Sequence, residues 1–228
     1  MADHQRWRLR RIACGRPAGR AALAAAALAM LAAAPASAHP HAFIDISVRV
    51  LFAGNTVTGL SETWVFDPAY TAFATYELGV GEGEDAQAAL DALMAENLQN
   101  LHDYDYFSEV EVGGSPVAFA TAEATATAIV GRQLSMTFVL PFAGPVSLDG
   151  VALEYRVYDP TFYIEMLHAP EDGAIVLEGA PASCRYRLVP PSPTEEQYLS
   201  AAALDVNATG IDGLGRLFAE VVVVDCRP

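Results

Sequence analysis

The chain is short of positive charge. Thirteen basic residues, all arginine, stand against 28 aspartates and glutamates, for a formal net charge of −15. Six of those arginines (Arg6, Arg8, Arg10, Arg11, Arg16, Arg20) and one acid, Asp3, fall within the first 38 residues. The remainder holds seven arginines against 27 acids, a formal net charge of −20. Such an excess speaks against nucleic acid or anionic lipid as a partner and favours cations in a general, salt-screened way. Cysteine is scarce as well: Cys14, Cys184 and Cys226. Catalytic signatures are missing too. There is no nucleophile-elbow pattern, no phosphate-binding glycine loop and no histidine pair at helical metalloprotease spacing, so the reading is not an enzyme.

Long apolar runs are confined to the start. An arginine-rich n-region precedes the apolar stretch Ala21 to Ala34, and Ala36-Ser37-Ala38 supplies a small-residue cleavage signal. That stretch is too short to span a bilayer, which predicts a cleaved signal peptide over 1–38 and an exported, soluble domain over 39–228. Cys14 leaves with the leader. Two cysteines in an oxidising compartment predict one disulfide, Cys184 to Cys226.

The exported chain would open on His39-Pro40-His41-Ala42-Phe43-Ile44-Asp45. Alternation from His41 to Phe52 reads as an edge strand, and the turn residues Gly54-Asn55 lead to a second strand, Val57 to Phe66, forming a hairpin. On the first strand His39, His41, Phe43 and Asp45 fall on one face and Ala42, Ile44 and Ile46 on the other. Asp67 as N-cap and Pro68 at the first position predict a helix towards Leu78. A second helix covers Ala86 to Leu101, with Leu90, Leu93, Met94, Leu98 and Leu101 at helical spacing. Strands follow at Val110 to Val112, Val117 to Phe119, Thr121 to Val130 and Gln133 to Leu140, where Pro141 and Pro145 are expected to break the pattern. Further strands are read at Val151 to Tyr158, Thr161 to Leu167, Ile175 to Leu177, Cys184 to Val189 and Leu217 to Cys226. Thr194 and Gln197 form a capping-box signature for a short helix. The fold class expected is α+β: one mainly antiparallel, sandwich-like β domain with a helical insertion after the first hairpin and a short C-terminal helix.

Metal-ligating chemistry has four histidines to draw on after the leader: His39, His41, His102 and His168. Neutral imidazole suits zinc, copper and nickel, and a zinc site takes three or four ligands from His, Cys and carboxylate. The candidate ligands are His39, His41, Asp45, His102 and His168, with zinc as the metal and copper or nickel as alternatives. Pro40 has no amide proton, so a square-planar site built on the first amides is excluded if cleavage follows Ala38. A brace formed by the amino group and imidazole of His39 remains open and would favour copper. Two further readings stand beside these: Tyr70, Tyr104, Tyr106, Tyr158 and Tyr163 could line a cleft, and the whole chain could be a structural β domain whose histidines are incidental.

Five segments carry a family resemblance: the His39 to Asp45 start, Trp64-x-Phe66-Asp67-x-x-Tyr70, Tyr104-Asp105-Tyr106-Phe107, Tyr158-Asp159-Pro160-Thr161 and Gly213-Leu214-Gly215-x-Leu217-Phe218-Ala219-Glu220. Together they resemble an uncharacterised bacterial periplasmic family labelled as a component of an ABC-type transport system, which includes ZevA-like zinc-uptake accessory proteins. The resemblance implies a periplasmic protein working with an inner-membrane permease of the nickel/cobalt-transporter type. It does not extend to the acidic calcium loop of some members, since Gly81 to Asp85 lacks the alternating oxygen ligands of such a loop.

Overall fold

The computed structural model describes residues 42–77, 79, 84–203 and 213–227. His39 and His41 lie outside the described residues. The first strand, β1 (Ala42–Ala53), buries Ala42, Ile44, Ile46, Val48 and Val50 and turns Phe43, Asp45 and Arg49 to solvent. Gly54 takes a left-handed φ of 65° at the turn, and β2 (Thr56–Phe66) returns antiparallel with Ile44 opposite Phe66.

β1 is not an edge strand. Its second flank pairs in parallel with β8 (Ile164–His168) along its first half and with β9 (Ile175–Glu178) along its second. Nothing local announces this, because the partners lie more than a hundred residues downstream. On the far side β2 pairs with β6 (Gln133–Ser147), and β6 with β5 (Glu123–Val130). The prolines do not interrupt β6. Pro141 sits opposite Gly59, where the β2 register shifts, so its missing N–H falls at an irregularity in the ladder. Gly59 is required there: a Cβ would come within 2.7 Å of the Leu140 carbonyl oxygen.

A second sheet runs β10 (Arg185–Val189), β11 (Val221–Asp225), β7 (Leu153–Val157), β3 (Ser108–Val112) and β4 (Ser115–Pro116), antiparallel throughout. The strand expected over Val117 to Phe119 is reduced to a single bridge, Phe119 to Phe142. One core joins the inward residues of both sheets, among them Ile46, Leu60, Phe138, Leu153, Tyr155 and Val224. The fold is thus an α+β sandwich of a six-stranded and a five-stranded sheet, mostly antiparallel.

Between β2 and β3 come α1 (Pro68–Glu77) and α2 (Glu84–Leu101). α2 buries Leu90, Met94 and Leu98, and Gln87 donates to the Thr127 carbonyl of β5. A 3₁₀ segment, His102–Phe107, closes the insertion. The short α3 (Glu195–Ala202) begins with the complete Thr194–Gln197 capping box, and α4 (Leu214–Phe218) precedes β11. Phe162 stacks on Phe218 at 4.1 Å and joins Ala201 and Leu214 in a small cluster of their own. A disulfide, Cys184–Cys226, ties the start of β10 to the end of β11. No helix among the described residues is long and apolar enough to cross a membrane.

Asp67 does more than cap α1. Its Oδ1 accepts from the Ala69 and Tyr70 amides, its Oδ2 accepts from the Phe43 amide, and its own amide donates to the Phe43 carbonyl. Asp67→Ala therefore frees donors on two elements at once. The expected loss is about 1–2 kcal/mol, read as a lower denaturant midpoint with unchanged slope; an unchanged midpoint would show that solvent replaces the carboxylate at no cost.

Candidate functional site

The described parts of the five segments singled out in the sequence are tied to one another at one region of the sandwich. Asp67 clasps Phe43, as above. Trp64 lies nearly parallel to Phe107 at 6.3 Å, and Phe66 stacks on Tyr70 at 4.9 Å. Asp159 is buried and organises the chain ahead of β8, its Oδ1 accepting from the amide and hydroxyl of Thr161 and its Oδ2 from the Ile164 amide. Gly215 donates to the Pro160 carbonyl, so the Gly213 to Glu220 segment is held on the Asp159 corner.

Two polar assemblies occupy this region. On the second sheet Glu109 receives the guanidinium of Arg216 at 2.7–3.1 Å, Arg156 at 2.8 Å and the Tyr158 hydroxyl at 2.9 Å. Burial alone would raise the Glu109 carboxyl, but the hydrogen bonds of Arg216 and Tyr158 and the charges of Arg216 and Arg156 outweigh it and hold it below the usual range. Burial and the Glu109 carboxylate push the Tyr158 hydroxyl up to about 12. Tyr158 and Tyr104, two of the tyrosines expected in a cleft, line a cavity of about 480 Å³ together with Phe107 and Glu109.

The second assembly lies between the sheets. Glu62 is fully buried; its Oε2 accepts from the Trp64 indole at 2.9 Å and its Oε1 from the Ser108 hydroxyl at 2.9 Å. Desolvation outweighs both bonds and raises its pKa to about 7. Beyond it the buried Tyr155 hydroxyl meets His168 Nε2 at 3.1 Å, while His168 Nδ1 and the His168 amide both reach Glu220 Oε2, at 2.8 and 2.7 Å. A carboxylate only accepts, so His168 Nδ1 carries the proton it donates to Glu220. Burial would raise Glu220, but its bonds to His168 dominate and lower it; Tyr155 is raised well above its ordinary value by burial and then by the Glu62 charge.

The described candidate ligands stand in three places. Asp45 is exposed on the outward face of the large sheet. His168 pairs in register with the inward Ile46, faces the core and has both ring nitrogens engaged. His102 is exposed on the 3₁₀ segment, its Nδ1 3.3 Å from Asp103. Among the described residues no three His, Cys, Asp or Glu side chains form a metal-holding group. Sequence reasoning passed over Glu165, which pairs in register with Phe43 on the outward face and whose pKa burial raises. It also passed over Glu62, although a charge at the inward position between Leu60 and Trp64 was a visible signal.

The profile of a family described as "Protein of unknown function (DUF1007)" matches residues 24–226. An uncharacterized protein of Haemophilus influenzae is 27% identical over 193 residues, covering 83% of this chain and 92% of the relative. No solved structure matches the chain.

Proposed function

The chain belongs to the DUF1007 family, and from that premise we propose that it is a periplasmic transition-metal-binding accessory protein. Zinc is the cargo, and an inner-membrane permease of the nickel/cobalt-transporter type is the partner that receives it. The observation that carries this reading is the double clasp between Asp67 and Phe43, which keeps β1 in register up to its first residues. The strand that follows the histidine pair in sequence is therefore anchored from its first residues. The sequence alternation assigns His41 to the same face as Phe43 and Asp45, and on that face of the described strands Asp45 and Glu165 offer carboxylates. Two neutral imidazoles and one or two carboxylates are a zinc-compatible donor set. The acidic remainder of the chain gathers cations around it, and the motif set resembling ZevA-like zinc-uptake accessories gives the same direction.

Zinc titration of the chain beginning at His39 tests this. The double variant His39→Ala with His41→Ala is expected to bind at least about tenfold more weakly, Asp45→Asn and Glu165→Gln to weaken binding a few-fold, and the parent to lose affinity below about pH 6.5 as the imidazoles protonate. Unchanged affinity in the double variant would remove the site. A Cu(II) spectrum that disappears when residues are added ahead of His39 would transfer the cargo to copper and the geometry to the brace.

A further inference from the structure

A second cavity, of about 210 Å³, opens between α2 and the inward face of β2 and β6. Its floor is Trp64, Phe66, Met94, Met136 and Phe138, all buried. The half-exposed Tyr70, Asn97, Leu101 and Phe107 form its rim, with the exposed Asn100 beside them. Among the described residues no charged side chain lines it.

We propose that this cavity is a binding site for a neutral, monocyclic aromatic molecule that carries one hydrogen-bonding group. Size is the first argument: an apolar cavity of roughly 150 Å³ admits benzene, so this one takes a ring plus a substituent. Wall chemistry is the second. Aromatic and thioether side chains suit a flat apolar ring, and they give water few partners, so water is a poor occupant. The rings are also preset: Trp64 meets Phe138 edge-on at 5.2 Å, Phe66 is stacked on Tyr70, and Trp64 is fixed by its bond to Glu62.

Polarity at the rim specifies the substituent. The Tyr70 hydroxyl and the Asn100 carboxamide bond to no other described residue, and the Asn97 carboxamide has only the weak acceptor Met136 Sδ at 3.9 Å. Neutral donors and acceptors are thus present at the mouth, and no described residue there supplies a charge to balance an ionic ligand. Backbone strain at the same place supports a functional wall. Asp105, Tyr106 and Phe107 take consecutive left-handed φ values of 51°, 54° and 57°, conformations that non-glycine residues hold only where the surroundings impose them. Their outcome is to set the Phe107 ring along Trp64 as the partition between this cavity and the one beside Tyr158.

The probe is p-cresol, titrated into the protein and followed by quenching of Trp64, which is the one tryptophan after residue 38, and by heat. Saturable binding with a sub-millimolar Kd is expected, with toluene several-fold weaker for want of the hydroxyl. Benzoate and benzylamine should bind about tenfold more weakly, because each would bring an unpaired charge against an apolar wall. Leu101→Trp fills the mouth from the last turn of α2 and should abolish binding while retaining cooperative thermal unfolding; if it does not fold, Asn97→Phe reads the same rim. Absence of saturable p-cresol binding by the parent, undiminished binding by the filled variant, or equal binding of benzoate or benzylamine overturns the proposal.

Discussion

Glu62→Gln is expected to leave stability near pH 4.5 unchanged and to raise it by roughly 3 kcal/mol above pH 7. The folded chain keeps a proton on this carboxyl up to about pH 7, whereas the unfolded chain releases it at the ordinary value of 4.5. Between those values the native state binds more protons than the unfolded one, so stability falls as pH rises. The contribution is full below pH 4.5 and lost by the time pH has passed about 7. At about 1.4 kcal/mol per pH unit, that window gives the stated magnitude. Glutamine satisfies the same neighbours as the protonated acid: Oε1 accepts from Trp64, and Nε2 donates to Ser108 Oγ, whose own proton goes to the Tyr106 carbonyl 3.1 Å away. Glu109 and Glu220, both lowered, titrate in the opposite sense, but they are common to parent and variant and cancel in the difference. Denaturant titrations of both proteins at half-unit intervals from pH 4.5 to 8 measure it. A difference that stays flat over the range would show that the core carboxyl is ionised throughout, or hydrated.

Gly215→Ala should cost about 3 kcal/mol or more, enough to threaten folding. A Cβ at this position would collide with the Asp159 carbonyl oxygen and lie 2.9 Å from its carbon, and both neighbours are backbone that cannot rotate away. Relief requires moving the Asp159 corner, which holds the amides of Thr161 and Ile164 and so positions β8 against β1. Gly213→Ala is the matched control. That residue has a φ of 82° with no described atom within 4 Å of an added Cβ, so the expected cost is conformational strain, about 1–2 kcal/mol. Equal losses in the two variants, read as denaturant midpoints, would mean that the close approach at Gly215 is not maintained in solution.

Local rules written in the sequence carried over where the physics is local. Asp67 and Pro68 start α1, Thr194 and Gln197 cap α3, the Gly54-Asn55 turn closes the first hairpin, and the Leu90, Met94 and Leu98 stripe is buried under α2. Alternation also put Phe43 and Asp45 on one face of β1 and Ile44 and Ile46 on the other; the structure shows the first to be the solvent side and the second the core side. What needed long-range pairing was not legible. Parallel neighbours of β1 leave no periodic trace in its own residues, and β6 crosses two prolines because its partner supplies a glycine and a register shift there. The candidate ligands show the same division. Asp45 could be assigned a face from its own strand, but the face of His168 depends on its register with Ile46, and its partners come from β7 and from the residue preceding β11. Arg216 and Glu109 are 107 positions apart, and only the folded chain makes them neighbours.

Because β1 borrows its second flank from residues 164–178, the opening hairpin keeps a bare rank of backbone donors and acceptors until nearly four-fifths of the chain has been made. Completion of the large sheet must therefore be a late event with a high loop-closure cost, and a product cut short before Glu178 would present a sticky, strand-long template for pairing with its own kind.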